Sequence, residues 1–334
     1  MEKVRIGVIG TGRIAQNRSI PGILLANNAE LIAVMDCNAE AAENVRAKFN
    51  AKYAFTDLES MLSCDEVDAV YIATPVQFHA EQSRAAADHG KHILCEKPIA
   101  MTAKEAEETV AYCESKGVKF ASGFMMRYGT NANNMKMAIA DGRIGQVVTI
   151  LTRFTAWSDD KKDAWRHFKA QSGGGSLMDL GVHCIDLMEY VGGSRVKSVM
   201  ALNDTLTFSY EVEDSSTLLL QLENGAHCVV QSNFNVPDTA TRQRFEFLGT
   251  KGSLLATDII SQSDAGMLEA NFTEHGKGDF TWAFGNLYQR EFESFADSVI
   301  NDKPVNVPAA DAAHVQRVME AAYESSKTGK KIKL

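Results

Sequence analysis

The sequence has no excess of basic residues. Its 334 residues include 34 Lys and Arg against 43 Asp and Glu, for a formal net charge of -9, and no segment concentrates Lys and Arg. Proteins that bind the phosphate backbone of nucleic acids collect basic residues on one face or along one element. We therefore expect no nucleic-acid partner.

Long hydrophobic runs are also absent, because none approaches the length of a membrane span. The chain begins with MEKVRIGVIG, which predicts a strand and lacks the positive, apolar and small-residue zones of a secretory signal. We therefore expect a cytoplasmic protein without a membrane partner.

Cysteine is sparse and dispersed. The six cysteines form neither a C-x-x-C pair nor a Cys/His ligand cluster, so we expect no metal site and no disulfide. Dispersed cysteines of this kind are usually small buried residues. They are Cys37, Cys64, Cys95, Cys113, Cys184 and Cys228.

The length of the chain indicates two domains, because 334 residues exceed what one hydrophobic core usually supports. The first third alternates short apolar runs with helical runs, as in a parallel sheet covered by helices on both faces. The helical run at 102–117 has a capping box at Thr102 and Glu105 and ends at Gly117. The predicted strands are 4–10, 31–36, 67–74, 92–96 and 118–124.

The pattern changes after about residue 123, where longer alternating runs predict antiparallel strands with Asn224-Gly225 and Lys251-Gly252 as turns. We therefore expect an α/β fold: a doubly wound parallel sheet in residues 1–122 and an α+β domain in residues 123–334. The predicted strand regions of the second domain are 145–156, 215–234 and 243–257, and helical runs follow at 286–300 and 309–329.

The turn from Gly10 to Ala15 has the form G-x-G-x-x-A, follows a predicted strand and opens a predicted helix. Gly10 and Gly12 would permit a tight turn and a close approach of the backbone to a pyrophosphate. The helix N-terminus at Arg13 and Ile14 would then face the negative charge. The sequence predicts a dinucleotide-binding turn, and the alternative is an ordinary strand-to-helix turn.

Asp36 ends the second predicted strand, about twenty residues beyond this turn, where a carboxylate hydrogen-bonds the diol of an adenosine ribose. Such a carboxylate repels the 2′-phosphate of NADP, and neither Cys37 nor Asn38 supplies an arginine to attract it. The sequence therefore favours NAD over NADP. A simple polar residue at a strand end is the alternative.

Lys97 follows the strand predicted at 92–96, at the carboxyl edge where ligands of open α/β sheets bind. A lysine at this place can donate to a substrate oxygen and stabilise developing alkoxide charge. Pro98 fixes the backbone after it, and a cis peptide bond is one way to do so. A solvated surface lysine is the alternative interpretation.

The segment 173–190, GGGSLMDLGVHCIDLMEY, predicts a helix with a single polar stripe on an otherwise apolar surface. Such a stripe implies burial against a polar cavity. A buried histidine one turn from an aspartate can hold a defined tautomer and exchange a proton with a substrate hydroxyl. The alternative is a structural histidine with aspartates on the helix surface. The stripe comprises Asp179, His183, Asp186 and Tyr190.

Trp165, Arg166 and His167 form a polar loop before the three glycines. An indole and a guanidinium suit the face and the hydroxyls of a sugar, so this loop is a candidate substrate contact. An arginine that is only solvated is the alternative.

Together these motifs resemble the Gfo/Idh/MocA oxidoreductase family, which includes glucose-fructose oxidoreductase and inositol 2-dehydrogenase. The resemblance covers essentially the whole chain. GVIGTGRIA resembles a cofactor turn shared by many dehydrogenases, whereas ATPVQFHAEQSRAAADHGKHILCEKPIA, GGGSLMDLGVHCID and NLYQREFESFADSVINDKPVNV are specific. The family implies a Rossmann domain, then an open, mostly antiparallel sheet whose outer face packs between subunits, and hence a homodimer or homotetramer.

The resemblance also implies roles for single residues. Lys97 matches the family's EKP lysine, and Asp179 and His183 match its D-x-x-x-H pair. These three are the expected catalytic residues, and they are also expected to contact substrate. Trp165 and Arg166 resemble the W-R pair that borders the substrate pocket in the anhydrofructose reductase branch.

On the cofactor side, Thr74, Pro75 and His79 match the family's loop along the dinucleotide. Glu96 is expected near the nicotinamide ribose, beside Lys97.

Arg127 is a further expected substrate contact. Met125 and Met126 precede it where polar residues are frequent in the family, which is a departure from the family pattern.

We therefore expect an NAD-dependent, or less favourably NADP-dependent, enzyme that moves a hydride between nicotinamide and a secondary alcohol or ketone of a sugar, sugar derivative or cyclitol. In this hypothesis His183 takes the hydroxyl proton, Lys97 stabilises the alkoxide, and Asp179 orients the pair. Two alternatives stay open: a sensor that binds dinucleotide and sugar without turnover, and an NAD-dependent glycosidase of the same fold.

Overall fold

The chain forms two compact units, each made of two stretches of sequence. In the computed structural model, residues 2–160, 164–273 and 280–334 are described. The boundary expected after residue 122 placed the helix Leu287–Ile300 in the second domain, but its Phe292 and Phe295 lie in the core of the first unit. The first unit comprises Met1–Met125 and Asn286–Ala313, and the second comprises Met126–Gly285 and His314–Leu334.

A parallel sheet forms the centre of the first unit. Its strands are β1 (Val4–Ile9), β2 (Ala29–Met35), β3 (Tyr53–Phe55), β4 (Ala69–Ile72), β5 (His92–Cys95) and β6 (Phe120–Ser122). Within the described residues they form a six-stranded sheet in the order β3-β2-β1-β4-β5-β6, and the paired strands are parallel. The predicted parallel sheet is confirmed. The sequence pattern misses β3, because three half-buried residues are too few for an apolar run.

Helices connect the strands of this sheet. Thr102 caps the helix Ala103–Ser115, here α5, as the sequence predicts. Its Oγ1 accepts the Glu105 N–H at 3.1 Å, while the Glu105 carboxylate accepts the Met101 N–H at 3.1 Å. Gly117 follows α5 with φ of 72°, a conformation that glycine adopts without strain. The helices are α1 (Ile20–Leu25), α2 (Ala39–Phe49), α3 (Leu58–Leu62), α4 (His79–Asp88) and α5 (Ala103–Ser115).

The second unit is built on a mostly antiparallel sheet. The elements that follow β6 in the chain are α6 (Thr130–Ala140), β7 (Val147–Thr155), α7 (Lys169–Ser172), α8 (Val182–Gly192), β8 (Val196–Asp204), β9 (Ser215–Leu222), β10 (His227–Asn233), β11 (Arg244–Gly249), β12 (Gly252–Thr257), β13 (Met267–Phe272), α9 (Leu287–Ile300), α10 (Ala309–Thr328) and β14 (Ile332–Lys333). Within the described residues the sheet has eight strands in the order β13-β12-β11-β7-β10-β9-β8-β14. Strands β7 and β10 are parallel, and the other pairs are antiparallel.

The sequence patterns predict the central strands of this sheet better than its outer ones. Alternating runs predict β7 and β9 to β12, and the Asn224-Gly225 turn joins β9 to β10 with φ of 91° at Gly225. The patterns miss β8, β13 and β14. Strand β13 lies at an edge of the sheet, and the apolar residues of its inner row, Leu268, Ala270 and Phe272, are only half-buried.

The outer face of the second sheet carries exposed apolar side chains. Leu219 of β9 pairs with Met200 of β8 on one side and with Val229 of β10 on the other. Leu219 is 56% exposed and Met200 is 44% exposed, whereas Leu218 and Leu220 are buried on the opposite face. One face of this sheet therefore packs in the core and the other presents apolar surface.

Three of the expectations from the sequence are absences: of a membrane-spanning helix, of a metal site and of disulfide bonds. Among the described residues, no helix combines the length and the apolar character needed to cross a bilayer, and no three His, Cys, Asp or Glu side chains gather as metal ligands. The six cysteines are free thiols, and of these Cys37 is exposed and Cys64 is partly exposed.

A buried carboxyl group lies on α9 in the first unit. Glu291 is 1% exposed, and neither of its carboxyl oxygens has a hydrogen-bond partner among the described residues. Burial, together with the nearby charge of Glu96, raises the pKa of Glu291 well above its ordinary value. Glu291 is therefore neutral over much of the pH range in which an exposed glutamate is ionised.

Glu291→Gln should weaken the pH dependence of stability. A carboxyl whose pKa is raised by folding stabilises the folded state below its unfolded pKa of about 4.3, and this stability is lost as the pH rises toward the folded pKa. Above about pH 5, and until the pH reaches the raised pKa of folded Glu291, the wild type should therefore lose up to about 1.4 kcal/mol per pH unit relative to the variant. Urea unfolding at several pH values measures this difference.

Glu293→Gln is the matched control, because Glu293 lies on the same helix and is not buried. It should keep the wild-type pH dependence. Stability curves of Glu291→Gln and wild type that run parallel across this range would contradict the assignment.

Candidate active site

Several predicted cofactor-binding residues lie side by side at the carboxyl edge of the first sheet. Ile9 of β1 pairs with both Met35 of β2 and Ile72 of β4, and Ile72 pairs in turn with Cys95 of β5. Ligands of open α/β sheets bind at this edge. The residues that follow these four strand ends are Gly10, Asp36, Ala73 and Glu96.

The turn after β1 leaves room for a phosphate group. Gly10 has φ of 91°, and a Cβ there would lie 2.9 Å from the Ala73 carbonyl, so a side chain does not fit. A Cβ on Gly12 would meet no described atom within 4 Å, so the backbone there faces open space. Helical structure begins at Arg13 and passes through a π-helical turn, Ala15–Ser19, into α1. This arrangement fits a pyrophosphate, whose charge would meet the helix N-terminus.

Asp36 is held by the glycine turn and by the residues after β2. Its Oδ2 accepts the Thr11 N–H at 3.0 Å and the Thr11 hydroxyl at 2.7 Å, and its Oδ1 accepts the Asn38 N–H at 3.0 Å. Burial raises the pKa of Asp36, but these hydrogen bonds lower it more, so the net pKa is below its ordinary value. The carboxylate is therefore ionised at neutral pH and has lone pairs left to accept further hydrogen bonds.

His79 links the loop after β4 to the loop after β5. It is 2% exposed, its Nδ1 lies 2.7 Å from the Pro98 carbonyl oxygen, and its Nε2 lies 2.7 Å from the Thr74 carbonyl oxygen. Burial lowers the pKa of His79. The Thr74 hydroxyl donates to Gln82 at 2.7 Å, and Pro75 precedes the short turn that leads into α4.

Glu96 and Lys97 follow β5, and both are partly buried. The Tyr71 hydroxyl donates to a carboxylate oxygen of Glu96, and the Ser19 hydroxyl donates to the Tyr71 oxygen at 2.7 Å. The Lys97–Pro98 peptide bond is cis. The predicted lysine therefore stands directly beside a carboxylate that the core of the first unit orients.

In the second unit, the glycine-led segment is helical but not α-helical throughout. A π-helical turn, Leu177–Gly181, precedes α8, and π turns occur often at functional sites. Asp179 lies in this turn, and its N–H donates to the Gly175 carbonyl at 3.0 Å. His183 lies in the first turn of α8, is 5% exposed, and has its ring centroid 6.2 Å from that of Phe154.

The predicted sugar-contact loop reaches Asp179. Arg166 Nε lies 3.2 Å from Asp179 Oδ2, and its guanidinium lies 4.4 Å from the ring centroid of Trp165. His167 stacks on Tyr210 with ring centroids 4.1 Å apart. The loop therefore presents a cation and an indole beside the predicted catalytic carboxylate.

The other two polar residues of the predicted stripe, Asp186 and Tyr190, make contacts inside the second unit. Asp186 accepts the Nε–H and the Nη2–H of Arg127 at 3.0 and 2.5 Å, and the two side chains are 1% and 6% exposed. The Tyr190 hydroxyl donates to Asn133 at 3.0 Å, and the Arg127 guanidinium lies 5.1 Å from the Tyr190 ring centroid. These contacts fit the structural alternative for Asp186 and Tyr190, and a substrate contact by Arg127 stays a prediction.

Comparison of the sequence with known protein families matches both parts of the chain. The oxidoreductase family with an NAD-binding Rossmann fold, GFO/IDH/MocA, matches residues 4–124, and the GFO/IDH/MocA C-terminal domain matches residues 133–255. The chain belongs to the GFO/IDH/MocA oxidoreductase family. The predicted family, fold and enzyme class are confirmed.

Among relatives of this GFO/IDH/MocA oxidoreductase, D-xylose 1-dehydrogenase (NADP(+)) 2 of Haloferax volcanii is 29% identical over 98% of this chain and 99% of its own length. The 1,5-anhydro-D-fructose reductase of Ensifer adhaerens is 28% identical over 88% of each chain. Among solved structures, the aldose-aldose oxidoreductase of Caulobacter crescentus, complexed with glycerol, matches with a TM-score of 0.92 at 25% identity. That match covers 99% of this chain and all of the other.

The predicted catalytic residues of this oxidoreductase lie in different compact units. Lys97 belongs to the first unit, and Asp179 and His183 belong to the second, so their action on one alcohol stays a prediction. The sequence reasoning missed Tyr71, which it read only as part of an apolar strand. It also missed Glu213, whose carboxylate accepts the backbone N–H groups of Gly175 and Leu177. The acidic pair Glu213-Asp214 before β9 was the available signal.

Proposed function

We propose that this oxidoreductase uses NAD to interconvert a secondary alcohol and a ketone on a sugar, sugar derivative or cyclitol. The observation that carries the proposal is the position of Lys97 two residues beyond the end of β5, at the same sheet edge as Gly10 and Asp36. The names of the relatives, which act on xylose, anhydrofructose and aldoses, support the substrate class.

In the proposed reaction, three side chains of this chain bind the alcohol group of the substrate, transfer its proton and orient the groups that do so. The nicotinamide ring, when bound, supplies or accepts the hydride. The Lys97 ammonium donates a hydrogen bond to the alcohol oxygen and stabilises negative charge there. The His183 imidazole takes the hydroxyl proton during oxidation and returns it during reduction, and Asp179 orients the pair.

The loop with Trp165 and Arg166 binds the rest of the sugar in this proposal. Its support is the contact of Arg166 with Asp179 and with the Trp165 ring. An indole can pack on the C–H face of a pyranose or cyclitol, and a guanidinium presents several donors to neighbouring hydroxyls.

NAD is the proposed cofactor, and its support is the carboxylate of Asp36 after β2, where the spacing from the glycine turn predicts a contact with the adenosine ribose. The Thr11 and Asn38 hydrogen bonds lower the pKa of Asp36, so a 2′-phosphate would meet a full negative charge. Gly10, Gly12 and the N-terminus of the following helix would hold the pyrophosphate, and Thr74, Pro75, His79 and Glu96 would border the nicotinamide half. The Haloferax relative uses NADP by name, so the preference requires its own experiment.

Lys97→Ala should reduce turnover by about 10²- to 10⁴-fold, because the alkoxide loses its cationic donor. Binding of NADH, measured by fluorescence, should change little. The assay follows absorbance of the reduced cofactor while sugars and cyclitols are screened as substrates.

Lys104→Ala is the matched control, because Lys104 is an exposed lysine of α5. It should keep wild-type turnover. Unchanged turnover in Lys97→Ala would refute the catalytic assignment, and dinucleotide binding without any turnover by wild type would favour the sensor. Release of a glycosyl leaving group without net NADH would identify the glycosidase.

Asp36→Ala should raise the KM for NAD by about 10- to 100-fold, since hydrogen bonds to a charged group contribute about 1.5–3 kcal/mol. The KM for NADP should fall, because the repelling carboxylate is gone. Initial rates with both cofactors measure the preference. Glu30→Ala, which removes an exposed carboxylate at the other end of β2, should keep wild-type values. A wild type that prefers NADP would disprove this part of the proposal.

A homo-oligomer is the proposed assembly, with the outer face of the second sheet as its contact. Exposed apolar side chains such as Leu219 and Met200 support it, because large exposed apolar patches mark interaction surfaces.

Light scattering of wild type should give a mass that is a multiple of 36.5 kDa, and Leu219→Glu should lower it by placing a charge in the contact. Leu206→Glu is the control, because Leu206 is 71% exposed but lies outside the sheet. A wild-type mass of one chain would end the proposal.

A further inference from the structure

Close packing accounts for the glycines that precede Asp179. Gly173 ends α7 with φ of 78°. A Cβ on Gly174 would lie 2.0 Å from the Tyr323 hydroxyl oxygen, and a Cβ on Gly175 would lie 1.9 Å from the Glu213 carbonyl oxygen. The second and third glycines are therefore required by contacts inside the second unit, where the backbone approaches Tyr323 and Glu213.

Glu213 binds three consecutive backbone N–H groups at the start of the following helical segment. Its carboxylate accepts the Gly175 N–H at 2.9 and 3.0 Å and the Leu177 N–H at 3.0 Å, and its own carbonyl accepts the Ser176 N–H at 2.9 Å. The Tyr323 hydroxyl donates to the same carboxylate at 2.9 Å. The first N–H groups of a helix have no partner within the helix, so this one residue from outside the segment caps it.

The capped backbone leads directly to the predicted proton-handling residues. The carbonyl of Gly175 accepts the Asp179 N–H at 3.0 Å, so Glu213 and Asp179 are bonded to the same glycine. His183 follows one turn later in α8. Glu213 is 9% exposed, and burial raises the pKa of its carboxyl, an effect that the hydrogen bonds from Gly175, Tyr323 and Leu177 oppose.

We propose that Glu213, held by Tyr323, is a positioning residue that sets the placement of Asp179 and His183 without contacting substrate. The inference rests on the proposed function, because it assumes that this pair handles the substrate proton. Loss of the cap frees the π-helical turn to shift, and a displacement of about 1 Å in a catalytic group can cost about 10²-fold in rate.

The test compares Glu213→Ala, Glu213→Gln and Tyr323→Phe with wild type. In Glu213→Ala we expect kcat per folded site to fall about 10²-fold while the KM for NAD stays within about twofold. Glu213→Gln should restore part of the rate, because its amide oxygen still accepts from Leu177 and Tyr323. Tyr323→Phe, which removes one donor and keeps the ring, should lose about threefold. If Glu213→Ala does not fold, the other two variants decide the question.

Glu211→Gln is the matched control, because Glu211 is exposed, lies two residues away and accepts the Lys169 N–H at the start of α7 rather than an N–H of the Gly175 segment. It should keep the wild-type kcat. A second control repeats Glu213→Gln in the His183→Ala background, where it should cost little further rate, since the group it positions is gone. Full additivity, or wild-type kcat in folded Glu213→Gln and Tyr323→Phe, would overturn the inference.

Crystal structures separate failure of this inference from failure of the proposed function. Wild type without turnover on any sugar, polyol or cyclitol would defeat the function. The position of the His183 ring in Glu213→Gln would still decide the positioning role. We expect a measurable shift from its wild-type position, smaller than the shift of about 1 Å expected for Glu213→Ala. An unshifted Asp179 and His183 would overturn the inference whatever the activity.

Discussion

The parallel register of β1 with β2 and β4 is the constraint on which the dinucleotide side of this protein depends. Ile9 pairs with Met35 and with Ile72, so the residues after these strand ends emerge at one edge of the sheet. None of these residues is close to another in the sequence. The register makes neighbours of the glycine turn, the Asp36 carboxylate and the residues that lead to Lys97. The hydrogen bonds from Thr11 to Asp36 then fasten two of these strand ends together.

The glycine-rich segments 10–12 and 173–175 each lead into a helix, and they differ in what faces the backbone at the helix start. Both begin with backbone N–H groups that lack partners in the helix. At Gly12 the space above the backbone is open, as a turn that accepts a phosphate requires. At Gly175 the space is filled by Glu213, whose side-chain and carbonyl oxygens accept the backbone N–H groups from within the protein. A glycine-rich sequence therefore indicates a close approach to the backbone, but it does not say whether a ligand or the protein makes that approach.

The polar stripe of the glycine-led helix has a buried part and a partly exposed part, and the ion pairs of the two parts differ in their access to solvent. Asp186 and Arg127 form a nearly inaccessible ion pair, in which removing either partner would leave a buried charge without compensation. Asp179 and Arg166 meet where both side chains are partly exposed to solvent. The first arrangement suits a fixed structural contact, and the second leaves its groups accessible to other hydrogen-bonding partners.

The sequence by itself determined the parallel sheet, the glycine turn, the Asp36 strand end and the helix with Asp179 and His183. Each of these depends on local periodicity, on capping, or on motif spacing that a single stretch of chain carries. Only the tertiary structure decided that Arg166 meets Asp179, that Arg127 is held by Asp186, and that Glu213 caps a helix nearly forty residues earlier. Such contacts depend on which segments the fold brings together and which groups it removes from water, and no short pattern in the chain records that.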